Sequence, residues 1–280
     1  MRDGYLQGGV SAAGLGLVGR FRAPLGWAAG VVCSWLIAGC ASLGPAEREA
    51  LVDASALYSR GQTASAAARL DPLIRDFSEA AEISEAYYVR GLCRFRNREL
   101  QGASEDFEQA RRKSRRADLT ARCRASLATI AYQRGDWKRA ADSYEAALPD
   151  LPDQPPKDQM LYAAGEAMQR CGRWRQARLE FAGILHRFRD RPIAADARRM
   201  AGWNHEYYSI QLGVYQNVDN AARAVRDYRE KGLVGVVQEN QPRDRAALWV
   251  VMAGRYPTYA DARSALDRVR RIKSDACIIP

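Results

Sequence analysis

Shifted by 37 residues, the middle of this chain lies on itself. From about residue 47, one column reads Ala54, Gly91, Ala128, Gly165. A second reads Ala66, Ala103, Ala140, Ala177, and four residues later a third reads Leu70, Phe107, Tyr144, Phe181. Three further on come Leu73, Ala110, Ala147, Ile184, and a turn column reads Gly61, Arg98, Gly135, Gly172. The spacings are helical. A small residue lets two helices approach, and the large residue one turn after the second small column fills the next groove. A Gly about halfway suits the turn between the two helices of each unit. Such a period means stacked helix pairs, each burying its apolar face against the next.

The pattern resembles the tetratricopeptide repeat: small, small after twelve, aromatic after four, small after three. The usual period is 34. At 37, each unit is expected to carry three extra residues in a helix end or an inter-repeat loop. The resemblance covers roughly 47–192, and the repeat's terminal Pro is clear only at Pro152. A fifth first-helix, with Gly202 at the next shift from Gly165, is expected to cap the stack. The Pro-rich stretch Leu148–Lys157 reads as a loop, because the register holds across it. The resemblance implies a concave face that takes a protein partner. Tyr87, Tyr88, Arg90, Arg94 and Arg124 lie on the first helices that usually line it, but core packing or a solvated surface explains any one of them better.

From Tyr207 the period changes to two. Tyr208, Ile210, Leu212 and Val214 alternate with Ser209, Gln211, Gly213 and Tyr215, as in a strand with one buried face. Asn217 or Asp219 can cap a helix with apolar positions Ala221, Val225 and Tyr228, ending before Gly232. A second strand fits Leu233–Glu239, a polar turn Asn240–Arg245, and a third strand Leu248–Ala253. Thr258 with Asp261 can cap a second helix whose apolar face is Ala262, Leu266, Val269 and Ile272. Ala276–Ile279 closes the order βαββαβ, which leaves one sheet face under helices and one open.

Tyr208-Ser-Ile-Gln-Leu-Gly-Val-Tyr215 and Val251-Met-Ala-Gly-Arg-Tyr256 resemble the first-strand and third-strand motifs of the SPOR domain, the sporulation-related module that binds peptidoglycan. The resemblance spans 207–280 and implies binding of glycan strands stripped of their stem peptides, which accumulate at the division septum. Gln211 stands at the motif's first-strand Gln, and strand parity puts it on the open face with Tyr215. Parity also puts Leu248, Val250 and Met252 on that face and Trp249 toward the core, an assignment that a one-residue bulge would reverse. Gln211, Tyr215, Trp249 and Met252 are the expected glycan-binding residues. Aromatic surfaces would pack on sugar rings, and amides would hold hydroxyls. Arg243, Arg245 and Arg255 sit where loops could reach the ligand. Two positions depart from the motifs: Val214 replaces a frequent Ser, and Val250 a polar residue. Cys277 falls where some members place a disulfide Cys, but the usual partner position is Leu212, so a free or buried thiol is expected.

Ahead of the repeat, Arg20 and Arg22 precede an apolar run from Pro24 to Ile37. That run is shorter than the roughly 20 residues a bilayer needs and has the length of a signal-peptide core. It ends in Leu36-Ile-Ala-Gly-Cys40-Ala, which resembles a bacterial lipobox. The resemblance implies cleavage after Gly39 and lipidation of Cys40. An ordinary signal peptide, or a short anchor that happens to contain a Cys, is the other reading. Ala41 and Ser42 are not the Asp-type signal that retains lipoproteins in the inner membrane, so the outer membrane is favoured. The long weakly charged lead-in before Arg20 also fits a start downstream, for example at Val18.

The formal net charge is +10, carried by 38 Arg and five Lys. Export removes nucleic acid as a partner. It leaves anionic lipid headgroups and acidic groups of peptidoglycan, or a simply solvated Arg-rich surface. Two His, His186 and His205, leave little room for a His-rich metal site or a His-based triad. The remaining cysteines, Cys93, Cys123, Cys171 and Cys277, form no CxxC pair, and the first three read as small core residues. No phosphate loop or paired-carboxylate cleft is evident, so a non-enzymatic protein with no cofactor and no metal is expected.

The expected organisation is a signal peptide over 1–39, a lipidated tether over 40–46, a TPR-like α-solenoid with cap helix over 47–206, and a SPOR domain over 207–280. No Gly/Ser/Pro linker precedes Tyr208, so the two modules are expected to be held together. The function expected is that of a periplasm-facing outer-membrane lipoprotein. It would bind septal peptidoglycan and recruit a protein partner through its helices. The alternative is a scaffold lipoprotein with weak or no glycan binding.

Overall fold

The computed structural model describes residues 42–243 and 246–280. The expected signal peptide and the lipidation site Cys40 lie outside the described residues. The chain divides into two compact units, Met1–Leu127 and Ala128–Pro280.

The first unit holds helices α1 (Pro45–Ser59), α2 (Thr63–Asp76), α3 (Ile83–Arg96), α4 (Leu100–Lys113) and the larger part of α5 (Ala117–Gln133). The helices pack as successive hairpins, α1 on α2 and α3 on α4, with α2 against α3. The second unit holds the end of α5, then α6 (Trp137–Ala147), α7 (Lys157–Arg170), α8 (Trp174–Arg187) and α9 (Ile193–Ala201), followed by the sheet domain. The expected fold class is what is found: a helical-repeat region followed by a small antiparallel sheet with helices.

The repeat columns have clear physical roles. Ala66, Ala103, Ala140 and Ala177 are fully buried, as are Leu70, Phe107, Tyr144 and Phe181. A Cβ built on Gly91 would come within 2.7 Å of the Phe107 ring, and one on Gly165 within 2.7 Å of the Phe181 ring. Glycine on the first helix is the space that the phenylalanine of the second helix fills. The turn column is left-handed at every repeat, with φ of 82° at Gly61, 65° at Arg98, 76° at Gly135 and 85° at Gly172. The next residue's N–H reaches five residues back: Gln62 to Leu57, Glu99 to Arg94, Asp136 to Ala131, and Arg173 to Met168, at 2.8–2.9 Å. This is the Schellman closure, which consumes a terminal carbonyl and favours Gly. Arg98 adopts it without being Gly.

The longer period is absorbed between repeats. Six residues separate α2 from α3, three separate α4 from a lengthened α5, and nine separate α6 from α7. The last of these is the Pro-rich stretch, which opens with a 3-10 turn at Leu148–Asp150. It is pinned by Lys157, whose buried ammonium donates to the Leu151 carbonyl at 2.6 Å and pairs with Asp153 at 2.8 Å.

Two expectations need correction. The fold takes hold of the chain inside the expected tether: Leu43 is buried, its N–H donates to Glu82 at 3.2 Å, and α1 starts at Pro45. The fifth first-helix is present as α9 but spans only nine residues, and Gly202 is its C-cap, not an interior small residue. Arg90 and Arg94 are held within the fold, the reading favoured for them over a partner face. Both hold buried Asp106, Arg90 through two bonds at 3.0 and 2.7 Å and Arg94 through one at 3.0 Å. Burial drives Cys93 and Cys123 as expected, pushing their thiols up to about 11 and about 12.

The sheet domain runs β1 (Tyr208–Tyr215), α10 (Val218–Glu230), β2 (Val236–Arg243), β3 (Ala246–Tyr256), α11 (Tyr259–Arg270) and β4 (Cys277–Ile279). The strand order is β2-β3-β1-β4, antiparallel throughout. Both expected caps form. Asn217 accepts from Asp219 N at 2.7 Å, and Thr258 accepts from Asp261 N at 3.2 Å. One side of the sheet, carrying Ile210, Leu212, Val236, Val251 and Ala253, packs on Ala221, Val225, Leu266 and Val269 of the helices. The second strand is displaced from expectation. It starts at Val236 and runs through Asn240–Arg243, which had been expected to form a polar turn. Pairing continues to Arg243 opposite Ala246. As an edge strand with one neighbour, β2 tolerates polar residues and Pro242.

Within the second unit the sheet domain is seated on the last helix pair. The Trp174 indole N–H donates to the Pro257 carbonyl at 3.0 Å, and its ring lies 4.8 Å from that of Tyr208. Arg170 is held between Trp137 and Tyr259, with its guanidinium 4.1 and 4.7 Å from the two ring centroids. At the left-handed Gly172, a Cβ would lie 3.3 Å from the Pro257 oxygen. These contacts agree with the absence of a flexible linker.

Two outcomes follow from these contacts. Replacing Arg98 with Gly relieves a left-handed L-residue and should stabilise the fold by about 1 kcal/mol, whereas Gly135→Ala should destabilise it by a similar amount. Urea melts of the two variants would show midpoint shifts of opposite sign. Trp174→Ala removes a buried ring and its hydrogen bond and should cost about 3–5 kcal/mol. Its signature is faster amide exchange in β1 and α11 as well as in α8.

Candidate functional site

The sheet face away from the helices is set by strand pairing. Gln211 of β1 stands opposite Met252 of β3 and Cys277 of β4, and Met252 stands opposite Val237 of β2. One row across the open face therefore reads Val237, Met252, Gln211, Cys277. The adjacent row reads Glu239, Val250, Val214. Gln211 is half-buried and Cys277 exposed, so the amide and the thiol are neighbours at a surface. Val214 is 46% exposed, which puts an apolar side chain where the motif carries Ser.

The register shifts between Gln211 and Gly213, so that Gly213 pairs with Val251 and Tyr215 with Trp249. This bulge carries Tyr215 to the helix side, against the parity expected from the sequence. There it packs with Tyr228 and Trp249 against the helix-side core, and burial raises its hydroxyl pKa, with a further push from Tyr228. Trp249 is on the helix side as parity placed it, so it presents no stacking surface on the open face. Met252 is on the open face but only 1% exposed, so it forms floor there, not a projecting contact. Of the four expected glycan contacts, Gln211 alone has both the right face and accessible atoms.

The two motif glycines have one shared role. A Cβ on Gly213 would meet the Tyr215 ring at 2.9 Å, and one on Gly254 the Tyr256 ring and hydroxyl at 2.4–2.5 Å. Each Gly-x-Tyr folds an aromatic back over the glycine two residues before it. Gly254 also has φ of 72° and sits in a second register shift, where Tyr208 pairs with Tyr256 but Ile210 with Ala253. Tyr256 thus turns to the helix side, and Arg255 is left exposed on the other.

A cluster on the open face was not read from the sequence. Glu239, the cross-strand neighbour of Val250, accepts from the Tyr207 hydroxyl at 3.4 Å and pairs with His205 Nε2 at 3.1 Å. The His205 and Tyr207 rings lie 4.9 Å apart, and the Arg255 guanidinium lies 5.0 Å over the Tyr207 ring. Burial and the nearby Glu239 carboxylate raise the Tyr207 pKa, against the opposing pull of Arg255. The available signal was the alternation Trp203-x-His205-x-Tyr207, which continues the β1 period backward into the segment after α9. Chemically the face offers an amide, a held carboxylate, an aromatic ring under a guanidinium, and an apolar floor. That set suits a polyhydroxylated chain with amide and acid substituents.

Among the described residues, no group of three or more His, Cys, Asp or Glu is placed to hold a metal ion, and no helix is long and apolar enough to cross a membrane. The described cysteines Cys93, Cys123, Cys171 and Cys277 are all free thiols. The side chains of Arg243 and Arg245 lie outside what the structure describes.

Comparison with known proteins gives three findings. No curated protein matched the chain. Among solved structures, the TPR protein YrrB, described as having an unusual peptide-binding site, is similar at 21% identity and a TM-score of 0.45, covering 55% of this chain and 73% of that one. A tetratricopeptide repeat protein from Parabacteroides merdae is similar at 16% identity and a TM-score of 0.47, covering 67% of this chain and 66% of that one. Residues 204–280 match the SPOR domain family. With both glycine motifs and the βαββαβ order on the same residues, the chain carries a SPOR domain at its C-terminal end.

Proposed function

We propose that this protein is a non-enzymatic envelope lipoprotein. Its SPOR domain binds peptidoglycan, in particular septal glycan strands freed of stem peptides, and its helical repeats recruit a protein partner for cell division or envelope maintenance. The observation that carries the reading is the SPOR match on residues whose open face carries Gln211 and a half-buried polar cluster at Glu239, His205 and Tyr207. An anchor at Cys40 of an outer-membrane, periplasm-facing chain is supported by the lipobox-like Leu36–Ala41 and its preceding apolar run. Leu43, the first anchored residue, is three positions after Cys40, a reach of at most about 11 Å. A lipid there would hold the first helices close to the membrane surface.

A second reading, a scaffold lipoprotein with weak glycan binding, is favoured by one observation. Tyr215 and Trp249 are both spent on the helix-side core, and Val214 is exposed where a polar contact is expected. Co-sedimentation with purified sacculi, before and after amidase treatment, separates the two. The first reading expects retention to rise on amidase-treated sacculi and Gln211→Ala to weaken binding about tenfold, the worth of one net hydrogen bond. Equal and low retention of wild type and variant on both preparations would move the function to the helices.

A further inference from the structure

We infer that Arg255 is a carboxylate-reading subsite on the open sheet face, taking the acid group of an anionic sugar chain. The inference rests on the glycan reading above and adds what the face selects. The left-handed Gly254 and the register shift beside it turn Tyr256 inward and Arg255 outward. The guanidinium lies 5.0 Å over the Tyr207 ring. Stacking of this kind holds the guanidinium plane while its N–H donors stay free at the edges.

The charge of Arg255 is not spent within the protein. Arg90, Arg94, Arg116, Arg173, Arg178 and Arg191 all pair with carboxylates. Arg255 makes no ion pair among the described residues. The nearby carboxylate that could have neutralised it, Glu239, is instead held by His205 and Tyr207. An exposed guanidinium stacked on the Tyr207 ring, on the sheet face that also carries Gln211, is a fork for a planar acid.

Peptidoglycan supplies such an acid conditionally. While a stem peptide is attached, the lactyl group of each muramic residue is an amide and carries no charge. Hydrolysis of that amide by a separate amidase adds water across the C–N bond, leaving a lactyl carboxylate on the sugar and an ammonium on the peptide. Arg255 therefore distinguishes stripped from substituted strands by charge.

The test uses the full chain without its signal peptide and soluble glycan chains stripped of peptides. One batch keeps its lactyl acids; in the other they are converted to methylamides by carbodiimide coupling with methylamine. The expected result is at least tenfold tighter binding of the free-acid chains by wild type. Arg255→Gln should bind both batches alike, at the wild-type methylamide level, and Arg255→Lys should keep part of the preference. Arg255 is exposed, so an unchanged thermal transition would confirm that the variants fold. Equal affinity of wild type for both batches, or a preference that survives in Arg255→Gln, would overturn the subsite while leaving glycan binding intact. Binding of neither batch would overturn the glycan reading itself.

Discussion

The left-handed turn between paired helices is the constraint on which the described structure depends. At Gly61, Arg98, Gly135 and Gly172 the backbone takes φ between 65° and 85°, and the following N–H closes back onto the first helix. That closure fixes where the second helix leaves the turn. It thereby brings Phe107 onto Gly91 and Phe181 onto Gly165, with no room for a side chain between. The cost of ordering each hairpin is offset by fully buried contacts that the turn alone places. The last of these turns serves a second purpose, because Gly172 is also where the Pro257 carbonyl of the sheet domain approaches.

That approach decides what the sheet domain has left to offer. Trp174, Tyr208, Tyr259 and Ala262 close one end of the domain against the last helix pair, and α10 and α11 cover one whole sheet face. Aromatic side chains are concentrated in these two places. Among the described residues, the open face carries the part-buried rings of Tyr207 and His205, and its chemistry is mostly polar: Gln211, Glu239, His205 and Arg255. A ligand held there is held mainly by hydrogen bonds and charge, with Met252 and Val250 as a dry floor. Because the domain is clamped at Trp174 and Arg170, the orientation of that face relative to α7 and α8 is part of the design.

The sequence made the repeats legible because their signal is redundant: the same small and large positions recur at one spacing, and the same turn residue recurs with them. It made β1, α10 and α11 legible because alternation and caps coincide there. What it hid has physical causes. The polar run Asn240–Arg243 looks like a turn, since local chemistry cannot show that β3 pairs with it. Tyr215 changes face through a bulge that only cross-strand geometry fixes. Glu239 and Tyr207 are 32 positions apart and meet across the sheet, a contact with no local trace. Arg98 in a glycine column was visible as an exception, but the strain it bears was not.

Cys277 provides a direct test of the open face as the binding surface. Its thiol is exposed and is the cross-strand neighbour of Gln211, whereas Cys93 and Cys123 are buried with thiol pKa values pushed well up. The measurement is the alkylation rate of Cys277 in residues 42–280, with and without saturating peptide-free glycan chains. The account predicts that glycan slows the reaction several-fold while the other thiols are unaffected. An unchanged rate under conditions where the glycan demonstrably binds would place the ligand elsewhere and contradict the account.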